Sequence, residues 1–182
     1  MVGTGLDAGD EPDTLKLTAQ VVKAAEMGGG SPAQGGGSGE KAYVNFSNTD
    51  KSVLSAIRGM THMKSRRLYL AHSDVLIFGS DLAKLDMAEG LDAFTRDYEG
   101  RINVYILIAK GSASEILEED VELEKAPALH ISGMMENQKA NSETVVVTLR
   151  DFVMATLSES TAPTAPMIEL YEEGEKKRAK LE

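Results

Sequence analysis

The amino-acid sequence predicts an α/β (α+β) fold: a mixed β-sheet that opens on an antiparallel hairpin and carries helices on its faces. Three observations predict it. Two β-rich segments near the start flank a turn-forming stretch. A later strand is apolar on both of its faces, so both must be covered. Amphipathic helical stripes alternate with the strands along the rest of the chain.

Val2 to Leu6 and Leu15 to Val22 carry the apolar and β-branched residues of the hairpin, and Asp7 to Asp13 supplies its turn. Leu15, Leu17, Ala19 and Val21 alternate with polar residues, which predicts one buried face. Residues 28–39 are Gly/Ser-rich and read as a mobile surface loop inside a single domain. Ala42 to Ser47 reads as a strand. Thr49 or Asp50 is placed as the cap of a helix to Met63 with Val53, Ile57 and Met60 on one face. Arg67 to Ala71 and Val75 to Phe78 read as extended, broken at His72-Ser73-Asp74. Ser80 to Leu85 is a short helix, and Asp86-Met87-Ala88-Glu89 a loose capping box before the stripe Met87, Leu91, Phe94 and Tyr98.

Ile102 to Ala109 is the strand apolar on both faces: Ile102, Val104, Ile106 and Ile108 point one way, Tyr105, Leu107 and Ala109 the other. Ser112-Ala113-Ser114-Glu115 has the form of a capping box and opens a short helix to about Glu119. Leu129 to Gln138 is a helix. Thr148 caps another, with Leu149, Phe152, Val153 and Leu157 on one face. Met167 to Tyr171 returns as a strand. Residues 1–171 thus form one domain of a larger protein. Residues 172–182 read as a polar, fraying tail, a linker towards further domains that ends in residues of cloning origin.

Composition narrows the function. The formal net charge of −10 repels phosphate backbones and anionic headgroups, so no nucleic acid is expected as a partner. The basic runs Lys64 to Arg67 and Lys176 to Arg178 are short enough to be solvated faces. There is no Cys, which excludes disulfides and thiolate metal sites. No apolar run is long enough to span a bilayer.

Chemical motifs fail on their details. Gly39 is followed by Glu40-Lys41-Ala42, which sets a carboxylate where a phosphate loop needs Lys-Ser/Thr. His62, His72 and His130 lack any metal-ligand spacing, so no metal or cofactor is expected. His72-Ser73-Asp74 holds triad residue types, but adjacent side chains do not converge as a triad does. Glu118-Glu119-Asp120 and Glu172-Glu173 read as solvated acidic loops, and Met134-Met135 as core. No catalytic residue is assigned.

From Arg66 to Gly79 (Arg66-Arg67-Leu68-Tyr69-Leu70-Ala71-His72-Ser73-Asp74-Val75-Leu76-Ile77-Phe78-Gly79), then Leu82-Ala83, the chain resembles a hallmark segment of the Ger(x)C family of bacterial spore-germination lipoproteins. Further matches follow in order: Phe94 to Asp97, Val104 to Gly111, Ser112 to Leu117, Leu129 to Gln138, Thr148 to Phe152 and Pro163 to Ile168. Upstream, Gly3 to Asp7 and Leu15 to Val22 resemble the family's opening hairpin. The resemblance covers nearly the whole chain through motifs that are individually weak and specific in their order. Tyr98 stands where the family usually has Pro, and Leu85-Asp86 lacks the usual Gly.

The resemblance implies the N-terminal domain of the C subunit of a nutrient germinant receptor. Its partners would be two membrane-embedded receptor subunits. It would sit on the outer face of the spore inner membrane through a lipid anchor that this chain does not carry. The expected role is non-enzymatic, in assembly or signal relay by protein–protein contact. The alternative is direct binding of a small-molecule germinant (amino acid, sugar or nucleoside), for which His72, Arg96 and Asp97 are the candidate polar residues. A remote alternative is a carboxylate-dependent hydrolase, which requires an acid of raised pKa in a cleft.

Overall fold

The computed structural model describes residues 1–23, 41–63, 68, 72–96, 101–141, 143–174 and 176–182. Seven strands form one sheet: β1 (Gly3–Ala8), β2 (Leu15–Val22), β3 (Tyr43–Asp50), β4 (Val75–Phe78), β5 (Tyr105–Ala109), β6 (Met167–Glu173) and β7 (Lys176–Leu181). Their order across the sheet is β3-β2-β1-β4-β5-β6-β7. The central four, β1, β4, β5 and β6, are parallel neighbours. An antiparallel strand pair closes each side. The helices are α1 (Val53–Met63), α2 (Ser80–Leu85), α3 (Ala88–Arg96), α4 (Ala113–Ile116), α5 (Pro127–Asn141) and α6 (Leu149–Thr156).

The central strands decide the layering. In β4 every side chain is fully buried: Leu76 and Phe78 enter one core, Val75 and Ile77 the other. β5 alternates likewise, with Ile106 in the first core and Tyr105, Leu107 and Ala109 in the second. Period-2 alternation delivers one set to each face, and each buried aliphatic or Phe side chain contributes about 1.5–3 kcal/mol. Residues of α1, α3 and α6 cover the first face, and residues of α4 and α5 cover the second. Gly90 lets α3 approach the sheet, since a Cβ there would lie 2.7 Å from Phe78 Cε1 and 2.9 Å from Leu6 Cδ1.

Between α5 and α6 the chain passes the edge of β5 before taking up its place on the first face. Ile106 N–H donates to the Val147 carbonyl at 3.1 Å, and Leu149 N–H to the Val104 carbonyl at 2.8 Å. Thr148 then closes a capping box with Asp151, as its sequence context predicts.

Several expectations are corrected. The tail after residue 172 is not frayed: β6 runs to Glu173, and β7 pairs with it from Ile168↔Leu181 to Glu173↔Lys176. Ala179 and Leu181 fall on the same face as Ile168 and Leu170 and complete the second core. The basic run of β7 is paired rather than simply solvated, with Lys176 and Arg178 on Glu122 at 2.8 and 2.7 Å. Thr49 and Asp50 belong to β3 and do not cap α1. Ser52 does, its hydroxyl accepting from Ser55 N–H at 3.2 Å, while Asp50 accepts from Lys51 N–H. Asp86 accepts from Ala88 N–H at 2.7 Å, but Glu89 reaches across to the Val53 N–H at the start of α1 instead of completing a box.

Ser112 makes no side-chain cap on α4, for the reason given below. β2 is buried on both faces, since Thr18 and Gln20 are as enclosed as Leu17 and Ala19. Ile102 lies before β5 and is 47% exposed. Leu157 falls just past the last turn of α6 and is exposed. The Gly/Ser stretch 28–39, Tyr98, and all of the Arg67 to Ala71 segment but Leu68 lie outside the described residues.

Candidate functional site

In open α/β sheets ligands gather beyond the carboxyl ends of the parallel strands. Here that edge carries a cavity of about 410 Å³ between the ends of β1, β4 and β5, with Asp7, Lys16, Ser80, Asp81, Ser112 and Glu115 in its wall. Asp7, near the end of β1, is the buried carboxylate of this crevice. Its Oδ1 accepts from the Ala113 N–H at 2.6 Å, and its Oδ2 accepts from the Ser114 N–H and the Ser112 hydroxyl, each at 3.0 Å.

Three donors of the segment following β5 thus converge on one side chain of β1. The local capping box of Ser112 is not formed because a carboxylate is the stronger acceptor for amide N–H groups. Gly79 stands against the same carboxylate, where a Cβ would collide with Asp7 Oδ1. Ser80 N–H donates to the Gly111 carbonyl at 2.9 Å, tying the β4 and β5 exits together. This geometry makes Asp7 a staple between three strand ends. Its acceptor sites are largely occupied, so it is poorly placed to bind a substrate or move a proton.

The second buried carboxylate, Glu119, is also occupied. Its Oε1 lies 3.0 Å from His130 Nδ1 on α5, and its Oε2 accepts from the Ala179 N–H of β7 at 2.6 Å. That hydrogen bond to Glu119 holds the His130 imidazolium above its usual pKa range, against the opposing effect of burial. Asp120 adds to the seam: its N–H donates to the Lys177 carbonyl and its carboxylate accepts from the Lys177 N–H.

Gln20 on β2 is wholly buried. Its Nε2 donates to the Leu117 carbonyl at 2.7 Å and to Asn45 Oδ1, and its Oε1 accepts from the Ala128 N–H at the start of α5. One amide therefore serves the end of α4 and the beginning of α5 together.

The opposite edge of the sheet holds a different opening, about 470 Å³, ahead of β4 and β5. Asp74, Arg101, Asn103, Ser132 and Glu136 form its polar wall, and Val104 and Tyr105 at the entry of β5 also line it. Burial pushes the Asp74 carboxyl above its ordinary range, and the nearby Arg101 guanidinium partly offsets this.

Of the residues expected from the sequence, His72 is exposed just before β4, next to Ser73 and Asp74 of this cleft. Arg96 turns back onto Asp92 of its own helix, Nε to Oδ1 at 2.6 Å, and both are exposed. Asp97 lies outside the described residues. Sequence reading missed Asp7, Gln20 and Glu119. The available signal was a polar residue inside or beside an apolar run, and its partners lie far along the chain. Among the described residues no group of three or more His, Asp or Glu is poised to hold a metal ion. No helix among them is long and apolar enough to cross a membrane.

Comparison with known proteins adds the lineage. Residues 1–170 match the family model described as the spore germination protein N-terminal domain. The chain is 34% identical over 131 residues to spore germination protein YndF of Bacillus subtilis (strain 168), covering 69% of this chain and 32% of that protein. It is 27% identical over 168 residues to spore germination protein KC of the same organism, covering 89% of this chain and 40% of that protein. It is 29% identical over 116 residues to the putative spore germination protein YfkR, also of Bacillus subtilis (strain 168), covering 64% of this chain and 30% of that protein. The chain therefore spans well under half the length of these relatives. No solved structure matches it. The match over residues 1–170 establishes that the chain belongs to the Ger(x)C family of spore germination proteins, as an N-terminal domain.

Proposed function

We propose that this domain serves the C subunit of a nutrient germinant receptor as a non-enzymatic contact module that joins the membrane-embedded subunits and relays their state. The parent protein would sit, lipid-anchored, on the outer face of the spore inner membrane. The observation that carries this reading is the exposed apolar surface on one face of the sheet. Asp7 and Glu119, the two fully buried acidic residues among those described, are each held by structural donors.

A contact role needs exposed apolar surface, and one face of the sheet supplies it. Met154 and Leu157 at the end of α6 are 62% and 75% exposed. Met167 and Tyr171 of β6 alternate with Ile168 and Leu170, which pack into the second core, so they point to the face that α6 covers. These four exposed residues lie on the side of the sheet that α6 covers.

The test uses the full-length receptor. Met154→Glu combined with Leu157→Glu should leave the domain folded, abolish co-purification with the membrane-embedded subunits and slow nutrient-triggered germination. Normal co-purification and germination rate in a correctly folded double variant would overturn the reading.

A further inference from the structure

We infer that the cleft ahead of β4 and β5 is a binding site for a small zwitterion, with Arg101 taking its carboxylate and Asp74 with Glu136 taking its ammonium. The site is separate from the exposed apolar residues of α6 and β6, and either can fail without the other.

The placement follows from the fold. Asp74 is fixed directly before β4: its N–H donates to the Val2 carbonyl at 3.0 Å, and its carbonyl accepts from Tyr105 N–H at 3.0 Å. Arg101 lies four residues ahead of β5, and Glu136 on α5. The three side chains thus come from three elements and meet around one opening of about 470 Å³. That volume is within the range of small-molecule sites.

Opposite charges lie here in range of one another without joining. Arg101 acts electrostatically on Asp74, as does Glu136, yet neither Asp74 nor Glu136 forms an ion pair with Arg101. A half-buried carboxylate near a cation it does not touch suits a ligand that presents both charges. The imidazole of His72 also faces Asp74.

Tyr105 also lines the cleft, while the Val104 side chain packs into the first core on the other face of β5. Tyr105's hydroxyl is held from outside the cleft by Lys139 Nζ at 2.6 Å, which fixes the ring. Ser132 on α5 contributes a hydroxyl to the wall. A small free α-amino acid fits this set, with its two charges at the polar wall.

The experiment is an amide NMR titration of this chain with glycine, L-valine and L-phenylalanine, each to about 20 mM, which detects dissociation constants down to the weak millimolar range. Two probes carrying half the ligand accompany them: L-valinamide, which lacks the carboxylate, and 3-methylbutanoate, which lacks the ammonium. Saturable shifts are expected at residues 73–74, 101–105 and 132–136, with each half-ligand about 10-fold weaker than L-valine. Arg101→Gln should erase the advantage of valine over valinamide, and Asp74→Asn its advantage over 3-methylbutanoate. Absence of saturation with all three amino acids, shifts centred elsewhere, or binding unchanged in both variants would overturn the assignment.

Discussion

Replacing Asp7 by Ala removes one carboxylate and strands the donors that converge on it. The Ala113 N–H is fully enclosed and has Asp7 Oδ1 as its acceptor at 2.6 Å. The Ser114 N–H loses its 3.0 Å bond to Oδ2. The Ser112 hydroxyl, in contrast, keeps a partner in the Ser114 hydroxyl at 2.7 Å. Each buried donor left unmade costs about 1–3 kcal/mol, so two of them amount to about 2–6 kcal/mol, with little added from Ser112. Asp7→Asn retains one acceptor oxygen but turns an amide NH2 towards remaining donors, which places it between wild type and Asp7→Ala.

Urea unfolding followed by far-UV circular dichroism measures the loss, and amide exchange shows where it falls. Protection should collapse first at Ala113 and Ser114 and then along the exits of β4 and β5. The exposed Asp10→Ala serves as the reference. A loss for Asp7→Ala of under about 0.5 kcal/mol, the range of ordinary surface substitutions, would refute the staple.

Other outcomes follow from the same reasoning. Because the Glu119 hydrogen bond raises the His130 pKa, the stability from that pair is fully present below the unfolded value near 6.5 and is lost as pH rises through the folded value. The urea midpoint should therefore fall as pH rises above about 6.5, and His130→Gln should flatten that dependence. Gln20→Leu strands the Ala128 N–H, while Asn45 still donates to the Leu117 carbonyl at 2.8 Å; a loss of about 1–3 kcal/mol in urea unfolding is expected. Gly90→Ala drives a methyl against Phe78 and Leu6 and should cost about 1–3 kcal/mol, read as a lowered thermal midpoint. Ending the chain after Glu173 uncovers Ile168 and Leu170 and deletes the Ala179 N–H bonded to Glu119 and the Lys177 partner of Asp120, so amide protection across β6 should fall markedly.

Local pattern made much of the architecture legible. β4 is a run of four apolar residues, and β5 is apolar on both faces. Both could only be central strands with helices on either side, because nothing else covers two faces. Thr148 with Asp151 was readable as a cap because both partners lie within one turn. The Ger(x)C resemblance was readable for a similar reason: its motifs are short and their order survives in one dimension.

β7 shows where such reading stops. Lys176 to Leu181 holds two small or apolar residues among four basic ones, and by composition it is a solvated tail. It becomes a strand because β6 offers an open edge and because Glu119, Glu122 and Glu173 neutralise or bond its donors. Likewise the cleft of Asp74, Arg101 and Glu136 has no motif, since its members come from two strand entries and a helix. His72, Arg96 and Asp97 stand beside predicted element ends, and the fold puts Arg96 against its own helix.

Most of the periodic elements, their mixed α/β character and the family depend on residues within a few positions of one another, so they are legible along the chain. Which polar groups hold the elements together depends on the packed fold. Asp7 caps α4 from 106 residues away and Gln20 caps α5 from 108 residues away. Buried donors and acceptors must be satisfied, but the rule does not say by whom. The choice is made by whichever strand ends and helix starts packing brings within hydrogen-bond reach, and that proximity is written in no local pattern.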